Sequence, residues 1–295
     1  MSPLLETAGV SALGIIGVVL GRWFSRLPKP YWLLGYLFPL TMIVLIGLAY
    51  RIRPLEFLPP FTWMMAGRRE LALTALIGTM VLTTPLSRLP LRRDRIAVRI
   101  LMVWVVVQVT VWPFLAPAFN QNKLAALQTR VDADGVCLQS NEYTCGPAAA
   151  VTALRLLGFP AEESEIALLA RTTSAQGTQP DVLANTLRQR YGADGLTCEY
   201  RSFEDVDDLR LPGYTLALVK FAFMVDHYVA VLDVNDTSVV VGDPLSGRQV
   251  LPRAEFAKKW RRVGVVLNQG ETVTPDSHGG NGFIAHPTAE SQNAR

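Results

Sequence analysis

Two of the chain's three cysteines, Cys137 and Cys145, lie in the stretch CLQSNEYTCGPAAAVTALRLLG (137–158). A cysteine attacks as its thiolate, which is favoured at a helix N-terminus and beside a histidine. Cys145 has the sequence context for both. Gly146 and Pro147 follow it, then an alanine-rich run. Proline suits a first helical turn, where its missing N–H costs no hydrogen bond. The sulfur is therefore expected over unpaired backbone N–H groups at the positive end of a helix dipole. Glycine at 146 leaves the approach to sulfur uncrowded. Cys137 has no helix directly after it, and Cys198 falls in a run with strand character, so both read as packing residues. An oxidising compartment would let these two form a disulfide and leave Cys145 free.

The base must come from elsewhere. His227 is the histidine inside the folded part of the second half, because His278 and His286 fall in a polar tail. It opens the apolar run HYVAVLDV, so its ring can lie at the mouth of a cleft. Asp243 closes the next run, in VGDP. If these runs pair as a hairpin about Asn235-Asp236, position 227 falls opposite 243 or 244. Asp243 can then accept from the far ring nitrogen and orient the imidazole. Asp226 is the rival orienter, but adjacent strand residues point to opposite faces. Gln139 stands six residues before Cys145, where its amide can donate to a developing oxyanion alongside the Cys145 N–H. No CxxC pair is present and no G-x-x-x-x-G-K-[ST] phosphate loop, so neither a metal nor a nucleotide cofactor is expected.

The elements that must position these residues follow from periodicity. Residues 148–157 form a strong helix stopping at Gly158, with further helices over 161–171 and 178–192. Strands are expected over 196–201, 214–221, 227–234 and 238–243, then a helix at 253–260 and a strand at 263–268. Residues 119–136 read as a linker with some helical character, and residues 269–295 as a disordered tail. Helices first and strands second favour an α+β layout with an antiparallel sheet.

The first half has a different texture. Residues 1–118 hold 12 basic and 4 acidic side chains, while residues 119–295 hold 16 and 21. Four uncharged apolar runs cover 7–21, 31–50, 71–87 and 100–118. About 20 helical residues span a bilayer, so this half is expected to be a membrane domain of about four transmembrane helices. Arginines beside apolar runs mark membrane topology, and nucleic-acid binding is not expected. No lysine or arginine precedes the first run, and Arg22-Trp23 follow it where a signal peptide would have a small-residue cleavage site. The proline-broken segment 54–67 reads as a loop at the membrane surface. If all four runs span, the connections 22–30 and 88–99 place eight positive charges on one side, against six on the other. The positive-inside rule then puts residues 119–295 outside the cytoplasm.

QSNEYTCGPAAAVTALRLLG, DHYVAVLDV and VGDPLSG together resemble the C39 peptidase family, a papain-like group of cysteine peptidases. TSAQGTQPDVLANTL also looks like the family's segment between helices. The resemblance covers residues 137–268. It implies a papain-like α+β peptidase domain, with Cys145 as nucleophile, His227 as base, Asp243 as its orienter and Gln139 as oxyanion donor. Family members include the leader-cleaving domains of bacteriocin-exporting ABC transporters, which cut after a double glycine. Here the apolar half precedes the peptidase-like part, the reverse of those transporters, and a separate ABC transporter is the candidate partner. The expected activity is hydrolysis of a peptide bond in a leader or secreted peptide. A leader-binding module without turnover and an acyl transferase are the alternatives on the same fold.

Overall fold

A computed structural model of the chain describes residues 3–66, 69–108, 120–174, 176–210, 212–222 and 225–270. The apolar runs of the first half become helices. The first and longest, α1 (Pro3–Arg26), packs lengthwise on the later helix Arg69–Thr83. Glycines permit that approach. A Cβ at Gly17 would stand 2.1 Å from Thr79 Oγ1, and one at Gly21 would stand 2.0 Å from Thr83 Oγ1. Thr79 and Thr83 turn their hydroxyls onto Ala75 O and Thr79 O at 2.8 and 2.6 Å, so no donor is stranded in the contact. Ser25 and Ser87 hydrogen-bond at one end of this pair.

The second run opens as a 3₁₀ turn (Tyr31–Tyr36) and continues as α2 (Leu37–Arg51). Thr7–Arg26 and Tyr31–Arg51 are long and apolar enough to cross a membrane. They expose large side chains such as Ile15, Val19, Leu40 and Val44, as lipid-facing helices do. A short helix α3 (Phe61–Met64) precedes α4 (Arg69–Thr83), which has 15 residues, fewer than the run 71–87 that it partly covers. The next helix, α5 (Arg92–Val106), starts within the arginine-rich connection, since arginine is a good helix former. Much of the fourth apolar run lies outside the described residues, as do the tail beyond residue 270 and both of its histidines.

The second half has the α+β layout with an antiparallel sheet expected from its sequence. A one-turn helix α6 (Gln121–Ala125) leads to a two-residue pair, β1 (Arg130–Val131) with β2 (Cys137–Leu138). The helices α7 (Cys145–Leu156), α8 (Glu163–Leu169) and α9 (Pro180–Tyr191) come next. The strands are β3 (Leu196–Ser202), β4 (Tyr214–Ala222), β5 (Val225–Val234), β6 (Ser238–Asp243), β7 (Gly247–Pro252) and β8 (Trp260–Gln269). Helix α10 (Arg253–Lys259) joins the last two. The sheet order is β3-β8-β4-β5-β6-β7, and every pairing is antiparallel.

Alternation along the strands builds two apolar layers. Leu216, Leu218, Tyr228 and Ala230 face α7, whose residues from Gly146 to Leu154 are all buried. Ala217, Val229, Val231 and Val241 face the other way, onto Phe256 and Trp260. Strand β7 is absent from the sequence reading. It is an edge strand with half of its residues exposed, and its sequence has too little apolar alternation to signal itself.

Residues of the segment 54–67, read as a loop at the membrane surface, also pack on the peptidase-like half. Its 3₁₀ turn Arg53–Phe57 places the Phe57 ring 5.0 Å from that of Tyr200, and Tyr200 Oη donates to Glu56 Oε2 at 2.9 Å. These polar and aromatic partners account for the docking.

Candidate active site

Cys145 occupies the first helical position of α7, after the N-cap Thr144. No side chain caps that end, because Thr144 Oγ1 turns back onto Asn141, accepting from its N–H at 3.1 Å and donating to its O at 3.0 Å. The first-turn N–H groups therefore stay available around the sulfur. Gly146 has a different reason from the one expected. A Cβ there would stand 3.2 Å from Thr178 Cβ and 3.3 Å from the Tyr228 ring. Glycine lets β5 and the Thr178 segment close onto the helix start. Tyr228 Oη donates to Thr178 O at 3.0 Å and locks that contact.

His227 lies on β5 and is 6 % exposed. Its Nε2 is 2.7 Å from Asp243 Oδ1 at the end of β6. Cys145 is the ring's other side-chain neighbour and favours its protonated form. Burial pulls the imidazole pKa down. The hydrogen bond to Asp243, followed by the interactions with Cys145 and with the Asp243 charge, outweighs it and pushes the pKa up to about 9. Burial would raise the Asp243 carboxyl, but hydrogen bonds from His227, the Leu245 N–H and Ser246 Oγ hold it below the usual carboxylate range. The exposed Phe221 ring, 5.6 Å from the imidazole, lies beside this pair.

The strand register differs from the simple hairpin. The turn spans Asn235 to Ser238, where Asn235 Oδ1 accepts from the N–H groups of Thr237 and Ser238. A bulge falls between Val231 and Asp233, and the ladder's last pair is Ala230↔Gly242. His227 lies three residues beyond that pair on β5 and Asp243 one residue beyond it on β6, yet their side chains meet. Asp226, the rival orienter, points away and pairs with Arg53 and Arg261.

Gln139 sits in the loop before α7. Its N–H donates to Pro244 O at 2.9 Å, which ties the loop to the residue after Asp243. Its Nε2 donates to Asn141 O at 2.9 Å, leaving one amide N–H to give. Glu163, read from sequence only as an acid in a helical first turn, anchors the same loop. It is fully buried and accepts from Ser140 N and Oγ at 2.9 and 2.6 Å.

Cys137 and Cys198 are buried and unpaired. Burial pushes both thiols up to about 12, aided at Cys137 by the charge of Glu163. Among the described residues no group of histidine, cysteine and carboxylate side chains is arranged to hold a metal ion. Sequence reasoning missed Ser246, whose Asp-x-x-Ser spacing was a usable turn signal. Arg53 was missed as well, and nothing local in the sequence points to it; Tyr228 was read only as part of the His-Tyr pair that opens a strand.

Residues 134–272 match the description Peptidase C39 family. An uncharacterized protein of Methanothermobacter marburgensis is 34 % identical over 133 residues, covering 45 % of this chain and 87 % of that protein. One from Methanothermobacter thermautotrophicus is 29 % identical over 132 residues, with the same coverage of 45 % and 87 %. Among solved structures, the peptidase domain of Streptococcus ComA, a bifunctional ABC transporter, aligns with 18 % identity and a TM-score of 0.40, over 44 % of this chain and 95 % of its own. Through these residues the chain belongs to the peptidase C39 family.

Proposed function

We propose that the chain is a membrane-anchored cysteine peptidase that hydrolyses a peptide bond in a leader or secreted peptide. The observation that carries this reading is His227, held by Asp243 at 2.7 Å, with Cys145 as the ring's other side-chain neighbour. Cys145 as thiolate attacks the scissile carbonyl, and the imidazolium of His227 protonates the leaving amine. The neutral imidazole then takes a proton from water, the hydroxide attacks the thioester, and the acid leaves with the sulfur restored as thiolate. Asp243 keeps the ring oriented and stabilises its charged form. The Cys145 N–H and the spare Gln139 amide N–H donate to the oxyanion in both steps.

Residues 1–118 serve as the membrane domain, 119–136 as its linker and 137–268 as the peptidase domain. The two long apolar helices support the anchoring. The charge bias of the connections favours a peptidase domain outside the cytoplasm, and a separate ABC transporter is the fitting partner for a leader peptidase. The test is a thiol-directed probe on the full chain together with the processing of its peptide substrate. Labelling is expected to vanish in Cys145→Ala and to fall sharply in His227→Ala. Normal processing by Cys145→Ala protein would refute the reading, and product mass separates hydrolysis from acyl transfer.

A further inference from the structure

A cleft of about 660 Å³ opens beside Cys145. Two of its walls come from the peptidase half. One is the segment 176–179 ahead of α9 with the helix's first residues, and the other is the β5 face that carries Asp226 and Tyr228. The third wall comes from the N-terminal region, through Tyr50, Arg53, Glu56, Met65 and Glu70.

This third wall is fastened to both of the others. On the β5 side, Arg53 Nε and a terminal nitrogen reach Asp226 Oδ2 at 3.1 and 3.0 Å. Arg261 Nε takes the other Asp226 oxygen at 2.7 Å. Glu56 pairs with Arg53 and accepts from Tyr200 Oη on β3 at 2.9 Å. On the α9 side, Gln179 Nε2 donates to Glu70 Oε1 at 2.8 Å. The side chains of Arg53, Glu56, Asp226 and Arg261 are 13, 10, 11 and 7 % exposed. Two cations and two anions balance there, and each carboxylate is hydrogen-bonded. Separation would strand buried charges, a far larger cost than losing exposed ion pairs. The wall thus spans both lips of the cleft and fixes its width.

The geometry points to the N-terminal region as an integral wall of the substrate cleft, with Arg53 the positioning residue that holds it closed over an extended peptide chain beside Cys145. This deepens the reading of Cys145 as nucleophile. A threaded, unfolded segment fits between this wall and the sulfur, and a folded or bulky group does not. The selectivity therefore lies in residues 50–70, outside the peptidase domain itself.

The experiment uses the full chain in lipid nanodiscs and follows Cys145 alkylation by mass mapping, with iodoacetamide as a small probe and a maleimide on a polyethylene glycol chain as a bulky one. The native protein is expected to react with the first and only slowly with the second. Arg53→Met is expected to speed the bulky probe by about tenfold or more, since a buried pair is broken, with the small probe changed by no more than about twofold. Arg53→Lys should restore much of the discrimination. Tyr200→Phe removes only the hydroxyl that donates to Glu56; it should show a smaller shift in the same direction, and it decides the matter if Arg53→Met does not fold. With a peptide substrate, KM should rise in these variants and kcat stay near its native value. An unchanged ratio of bulky to small probe rates in both variants overturns the proposal. Alkylation needs no turnover, so this result stands apart from whether Cys145 catalyses hydrolysis.

Discussion

His227 Nε2 and Asp243 Oδ1 meet at 2.7 Å, although the ladder joining their strands ends at Ala230↔Gly242. The contact depends on Asp243 being turned by its own C-terminal loop, where Leu245 N and Ser246 Oγ donate to it at 2.9 and 2.8 Å. Asp243→Asn keeps the shape, removes the charge and offers the ring an amide. The expected loss in kcat/KM is about 10²- to 10⁴-fold, as for other orienting carboxylates. Ser246→Ala removes one donor of three and should cost about two- to tenfold. Steady-state kinetics on a cleaved peptide check both, and equal effects of the two variants would contradict the arrangement.

The raised pKa of His227 sets a pH window. Its value in the unfolded chain is near 6.5 and in the folded protein about 9, so folding favours the protonated ring. The stabilisation is fully present below pH 6.5 and is lost as pH rises towards 9. Tm should therefore fall across that interval in the native protein, and the fall should flatten in His227→Gln. Activity has the same alkaline limb, because the leaving amine needs the imidazolium proton. A kcat/KM profile still rising through pH 9 would contradict it.

Gly146 separates packing from access. An alanine there gains helix propensity of up to about 1 kcal/mol. Its Cβ would press on Thr178 and on the Tyr228 ring at 3.2 and 3.3 Å, and Tyr228 is held by its bond to Thr178 O. Neither neighbour is free to give, so overpacking should win, for a net loss of about 1–2 kcal/mol. Chemical denaturation of Gly146→Ala protein measures this.

Much of the site was legible because its chemistry is local. Cys145-Gly146-Pro147 marks a helix start, and β5 and β6 are β-branched runs around a turn residue. A hairpin about Asn235-Asp236 is enough to bring His227 and Asp243 together, whereas the bulge between Val231 and Asp233 depends on neighbouring strands and leaves no local signal. Strand β7 was hidden because an exposed edge strand needs little apolar alternation. The docking of Arg53 on Asp226 was not legible at all. The two residues are 173 positions apart, and only tertiary structure pairs them. The segment 54–67 looked apolar enough for a membrane surface, and its contact with Tyr200 through Glu56 and Phe57 was not legible in it.

The helix pair α1–α4 rests on two small residues. Gly17 and Gly21 lie one turn apart and face Thr79 and Thr83. Gly17→Leu should force the helices apart and shift the segment leading into Glu70, which bonds Gln179. The expected result is weaker thermal stability in detergent, with a lower midpoint for Gly17→Leu than for Gly47→Leu, since a Cβ at Gly47 meets nothing within 4 Å. Equal midpoints would show that the glycines are not needed for the contact.

Gln139 gives the sharpest division between binding and chemistry. Its backbone is pinned by Pro244 O, and Asn141 O uses only one of its two amide N–H groups. In the proposed mechanism the other donates to an oxyanion, which carries charge in the tetrahedral intermediate and little in the substrate. Gln139→Glu replaces that donor with a second negative charge near the same place. The expected outcome is a fall in kcat of about 10²- to 10³-fold, with KM little changed. Cys145 should still be alkylated, because the helix terminus and His227 are untouched. Gln139→Ala should cost less than Gln139→Glu, since it loses the donor without adding repulsion. If both variants instead raise KM and leave kcat alone, the amide binds substrate and takes no part in stabilising the intermediate.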